Sequence, residues 1–269
     1  MMISDRLETL TNQAEELIQT GDYKGAIGIL QQALQIAPNN TELLRKYGKV
    51  LGKNNQCQEA FEIFEKARII DPKNVKILSS YANVLKYGGT LNKRLEVLHI
   101  LVKIEPDNPK TLKSYAHALS SNNQHEKAWP LFERALQIEP NDLITLNSYA
   151  KALTWIREYE KAWFLFERAL QIEPNNPKIL SSYAYALSWI REYEKAWPLF
   201  ERVLQIEPNN PKTISSYAIT LASIGQNEQA LLFFEKALQM GLGNFNIRNN
   251  FICFYYFLFR NIRQVPRGN

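Results

Sequence analysis

Cysteine, histidine and methionine are scarce in this chain, with two, three and three residues among 269. Cys57 and Cys253 lie far apart and neither belongs to a CxxC, so no disulfide framework or zinc site is indicated and both read as free thiols. His117 and His125 fall in different helical segments and His99 is remote from both, so no metal site and no cofactor is expected. Long apolar runs are missing too. The longest, Phe251 to Phe259, is about half of a membrane span, and the opening MMISDRLETL has no apolar stretch behind a basic start. The expected compartment is the cytoplasm, with no membrane partner. Walker loop, nucleophile elbow and HExxH are absent. The glutamates of REYEKA (Glu158 with Glu160, Glu192 with Glu194) are two apart, do not face each other on a helix, and suit the positive end of a helix dipole. GLGNFN at Gly241 follows a helical pattern rather than a strand, so it ends a helix and is no phosphate loop. Nothing here points to catalysis.

What the chain has instead is repetition, within a composition (45% hydrophobic, 22% charged) proper to a soluble globular protein. AWPLFERALQIEPND at 128–142 returns as AWFLFERALQIEPNN at 162–176 and AWPLFERVLQIEPNN at 196–210. Prolines recur every 34 residues, at 38, 72, 106, 140, 174 and 208. A fixed period of this size marks a solenoid whose units bury their apolar faces against their neighbours. With proline at position 32, position 4 is Leu or Ile throughout, position 8 is Ala or Gly, and position 11 is always Leu, which is one face of a helix. Position 20 is alanine in six units, position 24 is Leu or Phe, and position 27 is usually alanine, which gives a second helix. Position 15 carries Gly21, Asn55, Gly89, Asn123 and Gly225, residues suited to a left-handed helix end. Arg157 and Arg191 hold that place in units five and six, where backbone strain is expected.

This pattern resembles the tetratricopeptide repeat over about residues 7–242. The pentatricopeptide repeat has a period one residue longer and would drift out of phase. The resemblance implies an all-α, right-handed α-solenoid of helix-turn-helix units at 7–40, 41–74, 75–108, 109–142, 143–176, 177–210 and 211–242. Residues 1–6 are left as a tail, and 243–269 as a capping helix and tail. Arg94 and Leu101 replace small residues in unit three, whose second helix should sit further out, and Arg68 interrupts an apolar site in unit two. Pro130 and Pro198 fall inside second helices where unit five has Phe164, so proline is tolerated there, not required. Trp129, Trp163 and Trp197 should pack on the following unit. In the tail, Phe251, Phe254, Tyr255 and Leu258 have helical spacing, and a cap is expected over 247–263, with Ile252, Tyr256 and Phe259 on its other side as a surface for self-association or for a membrane or partner contact.

The family holds partner peptides at positions 2, 5, 6, 9, 12 and 13 of the first helices. In this chain those positions carry eleven basic and three acidic residues. The resemblance therefore places a partner-binding groove at Arg45, Lys49, Lys76, Tyr87, Lys110, Lys113, His117, Lys151, Trp155, Lys178, Tyr185, Trp189 and Lys212. Segregated basic residues among exposed aromatics point to recognition of an acidic protein or peptide. The clamp by which some members hold a C-terminal carboxylate would fall on Lys113, His117, Ser148, Lys178 and Ser182, and only the two lysines match it. The expected function is a non-catalytic interaction scaffold. The alternatives are an accessory arm of a partner enzyme such as a glycosyltransferase or sulfotransferase, and nucleic-acid binding through the basic groove.

Overall fold

In the computed structural model the described residues are 2–240 and 247–254. Fourteen helices precede a helical stretch at 247–254: α1 Met2–Thr20, α2 Tyr23–Ile36, α3 Thr41–Lys53, α4 Cys57–Ile70, α5 Val75–Gly88, α6 Leu91–Ile104, α7 Pro109–Ser121, α8 His125–Ile138, α9 Leu143–Trp155, α10 Tyr159–Ile172, α11 Pro177–Trp189, α12 Tyr193–Ile206, α13 Pro211–Ser223 and α14 Asn227–Met240. No strand occurs among the described residues, and consecutive helices pack in pairs. The chain divides into two compact halves after Pro140. Residues 2–6, set aside as a tail on sequence, continue α1.

The linkers are set by hydrogen bonds that the sequence spells out. Asn40, Asn74, Asn108 and Asn176 each accept two backbone N–H groups of the helix that follows, and Asp142 and Asn210 accept one. Such caps are worth about 1 kcal/mol each. Proline stands in the first turn of α7, α11 and α13, where its missing N–H costs nothing. Pro130 and Pro198 lie inside α8 and α12, yet those helices have the same 14 residues as α10, which carries Phe164 there.

Phe64, Phe132, Phe166, Phe200 and Phe234, all at position 24, are completely buried, as are the alanines at position 20. Close approach is obligatory at Gly48, where an added Cβ would lie 2.8 Å from the Phe64 ring. Asn55, Asn123, Arg157 and Arg191 have φ of 62°, 56°, 65° and 66°, and Gly21 and Gly225 share that conformation. Gly89 does not: its φ is −99°, because α5 runs one residue further and the chain leaves it extended, with Thr90 capping α6. Gly88 takes that extra place against Cys57, whose sulfur would meet a Cβ at 2.5 Å.

Unit three is the loosest pair: α5 and α6 pack less closely than the two helices of any other unit. The half-buried Arg94 side chain lies between them beside a cavity of about 220 Å³, and its Nε has no hydrogen-bond partner. Arg68 is not merely a broken apolar site. It bonds Glu65 and approaches Glu96, while Lys93 pairs with both, closing a ring of alternating charge between α4 and α6. In the second half, Ile247 is buried beside Ile214 and Ala237, the ring of Phe254 lies 4.9 Å from that of Phe234, and Asn250 donates to Ser215 Oγ at 3.2 Å. Ile252 is 47% exposed. Tyr255, Tyr256, Leu258 and Phe259, and the expected helix end at 263, lie outside the described residues.

Candidate functional site

The thirteen candidate residues sort into two clusters, one in each half, with two left over. In the first half Arg45 and Lys49 on α3, Lys76 and Tyr87 on α5 and Lys110 on α7 line a cavity of about 530 Å³, together with Lys53 and the neutral Ser79, Ser80 and Asn83. Arg45 is held by both oxygens of Glu42, with its Nε 2.8 Å from Oε2, and a further nitrogen reaches Ser80 Oγ at 3.5 Å. That bond raises the guanidinium's affinity for its proton and lowers the carboxyl pKa of Glu42. Lys49 faces no such partner, and its pKa is lowered by burial first and then by Arg45 and Lys53. Lys53 lies over the Tyr23 ring at 5.2 Å, and Tyr87, 81% exposed, has Lys86 5.4 Å from its centre.

In the second half Lys151 and Trp155 on α9, Lys178, Tyr185 and Trp189 on α11 and Lys212 on α13 line a cavity of about 590 Å³. Trp155 and Trp189 close their helices at the same repeat position and remain 58% and 66% exposed, their rings 5.0 Å apart and inclined by 55°. Lys151 keeps an exposed side chain, yet the cavity wall removes enough water to lower its pKa, with Lys212 and Lys178 acting in the same direction. Tyr185 is not the free aromatic face expected of it. It is half-buried, edge-on to Phe200 at 5.2 Å, with Lys212 5.3 Å over its ring and its own pKa raised by burial.

Lys113 and His117 belong to neither cavity. Lys113 donates to Glu139 Oε2 at 2.7 Å, and His117 packs at right angles to Phe132, 5.6 Å between centres. Reading first helices alone missed the acids that end the second helices. Glu139 occupies Lys113, and Glu207 lines the second cavity, bonded to Asn210. Asn147 was missed as well: it lines the same cavity from a site 5% exposed, its Oδ1 without a partner. Its place at position 5, where units two and four carry Arg45 and Lys113, was the available signal.

Among the described residues no group of His, Cys, Asp and Glu could hold a metal ion, and no helix is long and apolar enough to cross a membrane. Residues 9–141 match the model of the tetratricopeptide repeat, and the same helix pairs continue through the second half. The stretch 9–141 belongs to the tetratricopeptide repeat family. Among solved structures it is similar to a tetratricopeptide repeat protein from Parabacteroides merdae ATCC 43184, at 18% identity over 93% of this chain and 99% of that one, with a TM-score of 0.77. It is also similar to PilW, described as a widely conserved type IV pilus biogenesis factor (15% identity, 78% and 97% covered, TM-score 0.69), and to MamA (19%, 64% and 94%, 0.59). At these identities the likeness is one of fold. No curated protein matches the sequence. Tetratricopeptide repeats are typical of protein-interaction scaffolds.

Proposed function

We propose that this tetratricopeptide repeat protein is a non-catalytic scaffold that binds an acidic peptide of a partner protein, with the second-half cavity as its principal site. The observation that carries the reading is the meeting of three lysines with the exposed Trp155–Trp189 pair in one concavity. Lys151 and Lys178 make no ion pair among the described residues, and Lys151 is disfavoured as a cation first by burial and then by Lys212 and Lys178, so an incoming carboxylate supplies the counter-charge it lacks. Exposed ion pairs contribute only about 0–1 kcal/mol each. Affinity must then come mainly from the tryptophans, the residue type that most often exceeds about 2 kcal/mol at interfaces. A cavity of about 590 Å³ falls within the range of roughly 300–1,000 Å³ usual for ligand sites.

The test is an array of random peptides probed with the intact chain and with Trp155→Ala/Trp189→Ala. Bound peptides should be enriched in Asp or Glu beside an aromatic or leucine, and the double variant, folded by circular dichroism, should lose them. Unenriched binders, or binders that survive the variant, would overturn the reading. Oligonucleotide binding with a steep salt dependence would put nucleic acid in the peptide's place.

A further inference from the structure

We propose that the first-half cavity is a separate site that selects a phosphorylated segment of a partner protein, reading phosphoserine or phosphothreonine. The two cavities have nearly the same volume and different chemistry. The second has three lysines, one carboxylate and two tryptophans, whereas the first has Arg45, Lys49, Lys53, Lys76 and Lys110, no carboxylate and a single exposed tyrosine. Counting Arg45 as neutralised by Glu42, four cations remain in the first cavity, and Lys49, Lys76 and Lys110 have no ion pair among the described residues. One side-chain carboxylate would leave most of that charge uncompensated. A phosphomonoester brings about −1.5 to −2 charge and three acceptor oxygens, enough for several charge-assisted bonds at once.

The cations are arranged rather than scattered. Arg45, Lys49 and Lys53 stand four residues apart on α3, a row of about 12 Å along one face, and Lys76 and Lys110 enter from the first turns of α5 and α7. Arg45 is already oriented by Glu42, which lowers the entropy lost when its remaining donors engage an anion. Ser79 and Asn83 supply neutral polar groups at the wall, and Tyr87 offers an open ring for the residue next to the phosphate. The pKa of Lys49 is lowered first by burial and then by Arg45 and Lys53, and a bound dianion opposes both effects.

A peptide fits better than an extended polyanion. Residues 1–140 contain 18 basic and 16 acidic residues, so with five cations gathered in the cavity the remaining surface is net acidic and would repel a nucleic acid or an anionic bilayer. Stacking along single-stranded nucleic acid also requires a succession of aromatic faces, and only Tyr87 is present.

The experiment uses the full chain and a peptide pool with a fixed central phosphoserine or phosphothreonine and randomised flanks, beside the same pool with Ser or Thr and with Glu. Binding is read by fluorescence anisotropy. The phosphorylated pool should bind at least about tenfold more tightly than either other pool, a difference of about 1.4 kcal/mol. Lys49→Gln/Lys76→Gln/Lys110→Gln, three exposed and unpaired side chains, should remove the preference, and the three corresponding arginine substitutions should retain it. Trp155→Ala/Trp189→Ala should leave it intact, which separates this site from the acidic-peptide reading. Equal binding of the Glu pool, a preference that survives the glutamine variant, or tighter binding of an oligonucleotide or of phosphatidylserine vesicles would each overturn the proposal.

Discussion

The indole N–H of Trp197 on α12 donates to the hydroxyl of Tyr217 on α13 at 2.9 Å. One unit's second helix is thereby tied to the next unit's first helix through two aromatic side chains. Trp163 meets Tyr183 in the same relation, with ring centres 5.4 Å apart. In a solenoid these neighbour contacts carry stability, because no unit touches a distant one. Tyr217 is 4% exposed and lies edge-on to Phe233 at 4.8 Å, so ring and hydroxyl contribute separately. Tyr217→Phe should cost about 1 kcal/mol, the usual net value of a hydrogen bond, and Tyr217→Ala about 3–5 kcal/mol for the lost ring. Urea unfolding of both variants checks this, and a neutral Tyr217→Phe would show that the bond contributes nothing.

Arg157 and Arg191 hold φ near +65°, where units two and four have asparagine. A long side chain in this conformation costs about 1–2 kcal/mol relative to a right-handed one, and asparagine bears it more easily. Arg191→Asn should therefore stabilise by about 0.5–1 kcal/mol and raise the thermal midpoint. The reverse change, Asn123→Arg, should lower it.

Glu65 sits in the charged ring with Arg68, Lys93 and Glu96 and also accepts from the Tyr81 hydroxyl at 2.9 Å. Burial alone would raise its pKa, but bonds from Arg68, Lys93 and Tyr81 outweigh it and the net value is lowered. A carboxyl with a depressed folded pKa gives stability that is complete above the unfolded value of about 4.3 and is lost as pH falls through the folded value. Glu65→Gln should be less stable than the parent at neutral pH and should lose less stability below about pH 4. Urea midpoints measured across that range decide it.

The lowered pKa of Lys151 predicts proton-linked binding. An anion bound beside it restores the affinity for its proton, so acidic-peptide affinity should fall as pH rises through the free-state pKa, below the usual lysine range of about 10.4. Calorimetry in buffers of different ionisation enthalpy should show proton uptake on binding at alkaline pH. Lys151→Arg should abolish the uptake while keeping the charge.

Much of the architecture is legible in the residues themselves. Leucine at 4 and 11, small residues at 8 and 20 and Phe at 24 specify two apolar faces by helical periodicity, and asparagine, or Asp142, before the first helix of units two to seven supplies its cap. The strained arginines were legible too, because position 15 demands a left-handed residue whatever side chain stands there. Gly89 broke the rule since Gly88 can pass close to Cys57, and α5 gained a residue.

The proposed recognition surface was legible only in composition. Its basic and aromatic residues could be named by repeat position, but periodicity carries no information about where a flexible charged side chain finds its partner. Packing decided that Lys113 goes to Glu139, that Tyr185 turns into the wall, and that two tryptophans 34 residues apart in sequence open onto one cavity, whereas the Glu42–Arg45 pair, three apart on one helix, follows from spacing alone. The apolar faces that build a repeat are encoded within about 34 residues of chain. Pairing of charge and exposure of rings between helices depend on interhelical distances, which exist only once the helices have packed within and between units.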